Sequence, residues 1–301
     1  MEYKFSEFVT ESTKEYFNGL VRDFVPKSQK SYALVVDEIC VFCKKDFQEI
    51  QRDDYLKYLD ALREAVLAKA YKPQTVNRRI AVLRSFSEYL NDRTFGLHKI
   101  FVENYDKYHE ESSVRISSIP TWRELDRVLG IAREYSDGFY ALCVIVVKMG
   151  VSIDKVVGLR YCDIILGPDG EFAGLDFKGL HHKKSYSVPL PKDVASILSV
   201  YLSKRGELSP FSHLFLGERG NKPLSVRMAE IRLKTLQEKA ECTKVFKFRD
   251  LKSRGLLALT STECSMEELE EFSGLSRKAL EKYKRVASMP CPADLTNIRY
   301  V

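Results

Sequence analysis

Residues 150–191, GVSIDKVVGLRYCDIILGPDGEFAGLDFKGLHHKKSYSVPLP, are the part of this chain whose apolar pattern calls for strands, and helical patterns lie on both sides of them. They predict a short helix over 153–157. Strands follow around Ile164, Leu175 to Phe177 and Tyr186 to Val188, joined by turns at 167–170 and 179–184. The chain is therefore expected to be mainly α, with a small β-sheet inserted in its second half.

Residues 1–108 read as helices throughout. Phe5, Phe8, Val9, Tyr16, Phe17 and Leu20 suggest one amphipathic segment, which Pro26 breaks before a second helix over 28–45. A third starts near Asp53 and Asp54 and runs to Leu67. A fourth opens at Pro73, with Ile80, Leu83, Phe86, Tyr89 and Leu90 on one stripe. The period is lost after residue 91, and 109–117 read as a linker. A second domain then begins near Ile119, where Thr121 and Glu124 are spaced to form a capping box. It carries helices over 122–134 and 139–149, the β insert, helices over 192–203 and 225–241, and more helix from 249 to 286. With 301 residues, 45% of them hydrophobic, two domains are the expected division.

The formal charge of +6 is modest, but the cations are clustered. Lys72, Thr75, Asn77, Arg78, Arg79 and Arg84 lie near the start of the fourth helix. Lys178, Lys183 and Lys184 share a hairpin, and Lys247, Arg249, Lys252 and Arg254 follow one another late in the chain. Clusters of this kind suit a polyanion such as double-stranded DNA, and helix-start amides, hydroxyls and arginines are common phosphate contacts. The plain alternative is a set of solvated helix faces. No apolar run approaches the ~20 residues of a membrane span, and the start MEYKFSEF lacks a signal-peptide core, so an intracellular protein without a membrane partner is expected. Seven cysteines at irregular spacing argue for reduced thiols. Cys40 and Cys43 form a C-x-x-C inside a helical pattern with no second Cys/His pair nearby, so helix core is favoured over metal or redox work.

Residues 272–286, FSGLSRKALEKYKRV, place Tyr283 on a basic helix nine residues after Gly274. Together with TVNRRIAVLRSF in the first half, GVSIDKVVGLRYCDI in the second and a hairpin ending SVPLP, this sequence resembles the tyrosine recombinases of the phage-integrase type. The resemblance implies a helical core-binding (SAM-like) domain over 1–108 and a linker over 109–117. An α-rich catalytic-type domain with a small sheet over 118–287 and a tail over 288–301 complete it. It further implies that duplex DNA is clamped between the domains, and that the tail packs on a second copy or a second recombinase. No cofactor is implied, because cationic side chains do the work of a metal.

In that family a tyrosine attacks a DNA phosphate to form a 3′-phosphotyrosine. Two arginines, a histidine and a His or Trp stabilise the charge on the phosphoryl oxygens, and a hairpin lysine protonates the departing 5′-oxygen. By resemblance Tyr283 matches the nucleophile, Arg249 the second arginine, and Lys178, or Lys183 or Lys184, the lysine. The first arginine is replaced by Ser152, the histidine by Phe246, and the His or Trp by Leu275. Loss of one such donor costs on the order of 10²–10³ in rate, so impaired cleavage is expected. His181, His182, Lys252, Arg254 or a partner's side chain are the available substitutes. A working recombinase acting through Tyr283 is the alternative, and a helical scaffold without nucleic-acid function a remote third.

Overall fold

The structure is a computed structural model that describes residues 3–103, 106–108, 116–178, 185–217 and 222–288. Most of the expected linker, the hairpin turn with His181, His182, Lys183 and Lys184, and nearly all of the tail lie outside the described residues. The chain divides into two compact units, Met1–Glu111 and Ser112–Val301. Among the described residues no helix is long and apolar enough to cross a membrane.

The first unit is built from α1 (Glu11–Val21), α2 (Pro26–Cys43), α3 (Arg52–Leu67) and α4 (Pro73–Arg93) around a core that includes Phe17, Ile39, Phe47, Leu59, Ile80 and Phe86. Two features depart from the sequence reading. Phe5 and Phe8 pack on this core from a non-helical lead-in, because the Ser6 amide donates to Asp37 (2.9 Å) and Thr10 caps α1 by accepting from the Thr13 amide. Pro26 starts α2 rather than ending a helix; it stands at the first turn, where its missing N–H costs nothing. Cys40 is fully buried in α2 and burial pushes its thiol far up, while that of Cys43 rises to about 11 for the same reason.

His98 lies in this core, 8% exposed, with Nε2 3.2 Å from the Ser87 hydroxyl. Burial holds its pKa below the ordinary value. The unfolded chain therefore takes up a proton that the folded one refuses, so stability is full above the unfolded pKa and declines as pH falls through it. Urea unfolding followed by circular dichroism is expected to show a lower midpoint at about pH 5.5 than at about pH 7.5, with a smaller difference in His98→Gln. An equal pH response in that variant would acquit the imidazole.

The second unit comprises α5 (Trp122–Tyr135), α6 (Asp137–Met149), α7 (Ile153–Val157), β1 (Ile164–Leu166), β2 (Phe172–Phe177) and β3 (Tyr186–Pro189). It continues with α8 (Lys192–Ser203), α9 (Val226–Lys239), α10 (Phe248–Thr260), α11 (Met266–Ser273) and α12 (Arg277–Ala287). The capping box of α5 forms as its spacing predicts: Glu124 accepts from the Thr121 amide (2.9 Å) and Thr121 from the Glu124 amide (3.2 Å). The almost wholly apolar α6 is the centre of the core. The sheet is antiparallel in the order β1-β2-β3, with Leu175 opposite both Ile164 and Val188, and Phe177 opposite Tyr186. Leu175, Phe177 and Val188 face the core at the two-residue period of a half-buried sheet.

Candidate phosphate-binding site

In the second unit, α6 ends at Gly150 and the chain turns through buried Val151 to Ser152, which precedes α7 and makes no capping bond with its side chain. Three residues on, Lys155 donates to the Tyr186 hydroxyl of β3 (2.9 Å), with its ammonium 4.1 Å from the ring centroid. The Tyr186 ring stacks on Phe177 at 5.4 Å and covers Gly274, the left-handed residue that ends α11 at φ +62°. A Cβ on Gly274 would stand 2.3 Å from that ring, so conformation and space both require glycine there.

Beyond Gly274, Leu275 packs against the small cluster of Leu256, Met266, Leu269 and Leu280. Tyr283 of α12 packs there too, half-buried, and its hydroxyl lies 3.3 Å from Ser253 Oγ on α10. Ser253 is one helical turn beyond Arg249, so the two share a face of α10. Arg249 is open to solvent, its side chain 73% exposed and its Nε 3.8 Å from Asp250. Asp250 itself is held by the Lys247 amide (2.9 Å) and the Ser118 hydroxyl (2.9 Å), which fixes the start of α10. Lys247 is exposed, while Lys252 is half-buried. Lys178, at the end of β2, is exposed and pairs with buried Asp163 at 2.7 Å; that hydrogen bond raises the lysine's pKa.

The three positions at which the resemblance expects other residues are not alike. Ser152 is half-exposed. Phe246 is 2% exposed and belongs to the main core, with its amide and carbonyl both bonded to the Gln237 side chain (2.9 and 2.8 Å). Leu275 is part of the apolar floor beneath Tyr283. Arg254 is 3% exposed and stacks on Trp122 at 4.6 Å, a placement in the core rather than beside Arg249.

The first unit presents Lys72 and Arg78 to solvent, with Thr75 half-buried between them; Thr75 and Arg78 line a depression of about 370 Å³ with Ser31 and Gln74. Other members of the predicted set are used internally. Asn77 exchanges two hydrogen bonds with the Tyr108 backbone (2.9 and 2.7 Å), Arg79 is paired with Glu38 (3.0 Å) and stacked on Tyr71, and Arg84 is paired with Glu88 (2.7 Å). Lys155, Tyr186 and Ser253 were not among the predicted site residues. The available sequence signals were weak: Lys155 follows Ser152 by three and Ser253 follows Arg249 by four.

No protein-family model matches the sequence, and a comparison with curated proteins returns no match. Solved structures do match. A lambda integrase dimer bound to a COC′ core site aligns over 93% of this chain and 96% of its own, with a TM-score of 0.65 at 15% identity. The XerH site-specific recombinase bound to a palindromic difH substrate aligns over 93% and 82%, at 0.63 and 16%. The Tn1549 transposon integrase in complex with transposon right end DNA aligns over 91% and 97%, at 0.63 and 14%. The chain has the tyrosine recombinase fold. Within it, Arg249 stands on α10, Tyr283 reaches Ser253 of the same helix from α12, and Lys178 lies at the end of β2 on the sheet.

Proposed function

We propose that this protein binds duplex DNA and takes part in DNA recombination or integration, or in its regulation, with strand cleavage impaired or lost. The observation that carries this reading is the asymmetry of the site. Arg249 remains exposed one turn from the Ser253–Tyr283 contact, whereas the positions of three further transition-state donors hold Ser152, core-buried Phe246 and Leu275. Arg249, Lys247 and Lys178 can neutralise backbone phosphates whether or not a bond is broken. Lys72 and Arg78 offer the first unit the same role. Such a protein acts where its DNA is, inside the cell, beside an active recombinase or alone.

The second reading, an active recombinase, draws on the Tyr283 hydroxyl itself, which is held on the Arg249 face of α10. In that reaction the tyrosine oxygen would give up its proton to solvent and bond to phosphorus, while the phosphorus–5′-oxygen bond breaks and that oxygen leaves with a proton from an acid such as Lys178. A nicked suicide duplex with a randomised site distinguishes the two. The expected result is retention of duplex in a gel shift, weakening steeply as salt rises, and no covalent adduct on a denaturing gel. An adduct that disappears in Tyr283→Phe would establish the active enzyme instead; salt-indifferent or absent binding would dismiss both.

A further inference from the structure

A depression of about 260 Å³ lies between the start of α5 and the loop from α9 to α10, lined by Thr121, Arg123, Glu124, Arg127, Thr243 and Lys244. None of its three cations belongs to the residues that the recombinase resemblance supplies. Arg123 and Arg127 stand four apart on α5 and so share a helix face; both are exposed, as is Lys244. The single acid of the lining, buried Glu124, is already occupied. One of its oxygens accepts from the Thr121 amide and hydroxyl (both 2.9 Å), the other from the Thr243 hydroxyl (3.1 Å). Among the described residues none of the three cations is in an ion pair. Three like charges thus border one space with no carboxylate left over for them, and like charges four apart on a helix repel.

The loop that supplies Lys244 is anchored on both sides of it. Thr243 is tied to Glu124, and the Phe246 amide and carbonyl are held by the Gln237 side chain (2.9 and 2.8 Å). The depression also borders the site already described, since Ser118, three residues before Thr121, donates to Asp250, the neighbour of Arg249 (2.9 Å). We propose that Arg123, Arg127 and Lys244 form a second phosphate seat, taking a phosphodiester of duplex DNA beyond the one at Arg249. This rests on the reading of the protein as a DNA binder. The guanidiniums suit a phosphate through their forked donors and the ammonium as a point charge. A seat of this kind touches backbone rather than base edges, so it lengthens the footprint without adding sequence preference. Its residues come from neither α12 nor the sheet, so it serves binding whether or not Tyr283 reacts.

The full chain carrying Arg127→Gln and Lys244→Gln tests the seat. Duplex affinity at about 150 mM salt should fall on the order of tenfold, equally for duplexes of different sequence, and the slope of log K against log salt should become shallower by about 0.9, the value for one lost phosphate contact. Lys192→Gln with Lys204→Gln removes the same charge from α8 and should leave the slope as it was. The melting temperature of the first variant should stay level or rise, because like charges have been taken apart. Inorganic phosphate at matched ionic strength should displace the DNA no better than chloride. An unchanged slope in the first variant, beside an unaltered chain that binds DNA in a salt-dependent way, would overturn the seat alone. An equal change in the α8 variant would reduce the effect to net charge, and a marked fall in melting temperature would make Arg127 and Lys244 structural. Displacement by phosphate that vanishes in the first variant would assign the depression to a free phosphate ion. Absence of salt-dependent binding by the unaltered chain would remove the underlying reading as well.

Discussion

Gly255→Ala is expected to destabilise the second unit by upwards of about 4 kcal/mol. Gly255 sits on α10 where it crosses α6, and a Cβ added there would stand 1.8 Å from the Val147 carbonyl oxygen and 2.9 Å from its carbon. Both obstacles are backbone, so no side-chain rotation relieves them and the helices must part. Parting them opens a close-packed core that includes Val146, Leu251 and Phe248. Trp122, the single tryptophan, packs on that core, and its fluorescence in a urea titration reads the loss. Gly130→Ala on α5 is the matched control: nothing lies within 4 Å of its added Cβ, and the variant should gain about 0.5–1 kcal/mol from helix propensity. If both alanines shift the midpoint by the same small amount, the close approach of α6 and α10 is not what holds them.

The same crossing bears on function. Val147 is three residues before Gly150, from which the chain leads to Ser152 and Lys155; α10 carries Arg249, Lys252 and Ser253 on the turns before Gly255. The proposed phosphate contacts on α10 and the turn that carries Ser152 thus flank the close approach of α6 and α10. A variant that widens it should lose DNA affinity at temperatures where helix content is still near normal, because preorganised charges tolerate little displacement.

Local signals in the sequence carried much of the fold. The three-residue spacing of Thr121 and Glu124, the proline and apolar stripe of α4, and the alternation of Leu175 and Phe177 each specify their element from within it. What failed to show was settled by distant partners. The Ser6 amide finds Asp37 31 residues away, so the apolar lead-in with Phe5 does not become helix. Asn77 and Arg79 carry the residue types of a DNA-reading helix face, yet their donors go to Tyr108 and Glu38, 31 and 41 residues off. The site shows the same limit: Lys155 meets Tyr186 across 31 residues and Ser253 meets Tyr283 across 30. The motif names Tyr283 and Arg249 as single residues, but not the side chains that surround them.

Phe246→His, the substitution that would restore the residue type of the recombinase pattern, is expected to cost about 3 kcal/mol rather than repair the site. The ring it replaces is 2% exposed in the main core, and the neighbouring backbone polar groups are already satisfied by Gln237. A buried imidazole there would lose apolar contact and leave ring nitrogens in need of partners. Leu275→His meets a related obstacle in the cluster under Tyr283, although its partial exposure makes the penalty smaller. Adding Ser152→Arg to both therefore gives a triple variant that melts well below the unaltered chain and still yields no adduct with the nicked substrate. An adduct from a triple variant of unchanged melting temperature would show that both positions open toward the phosphate when DNA binds. Short of that, Phe246 is part of the packing, and a histidine in its place would require rebuilding the contact between α9 and the start of α10.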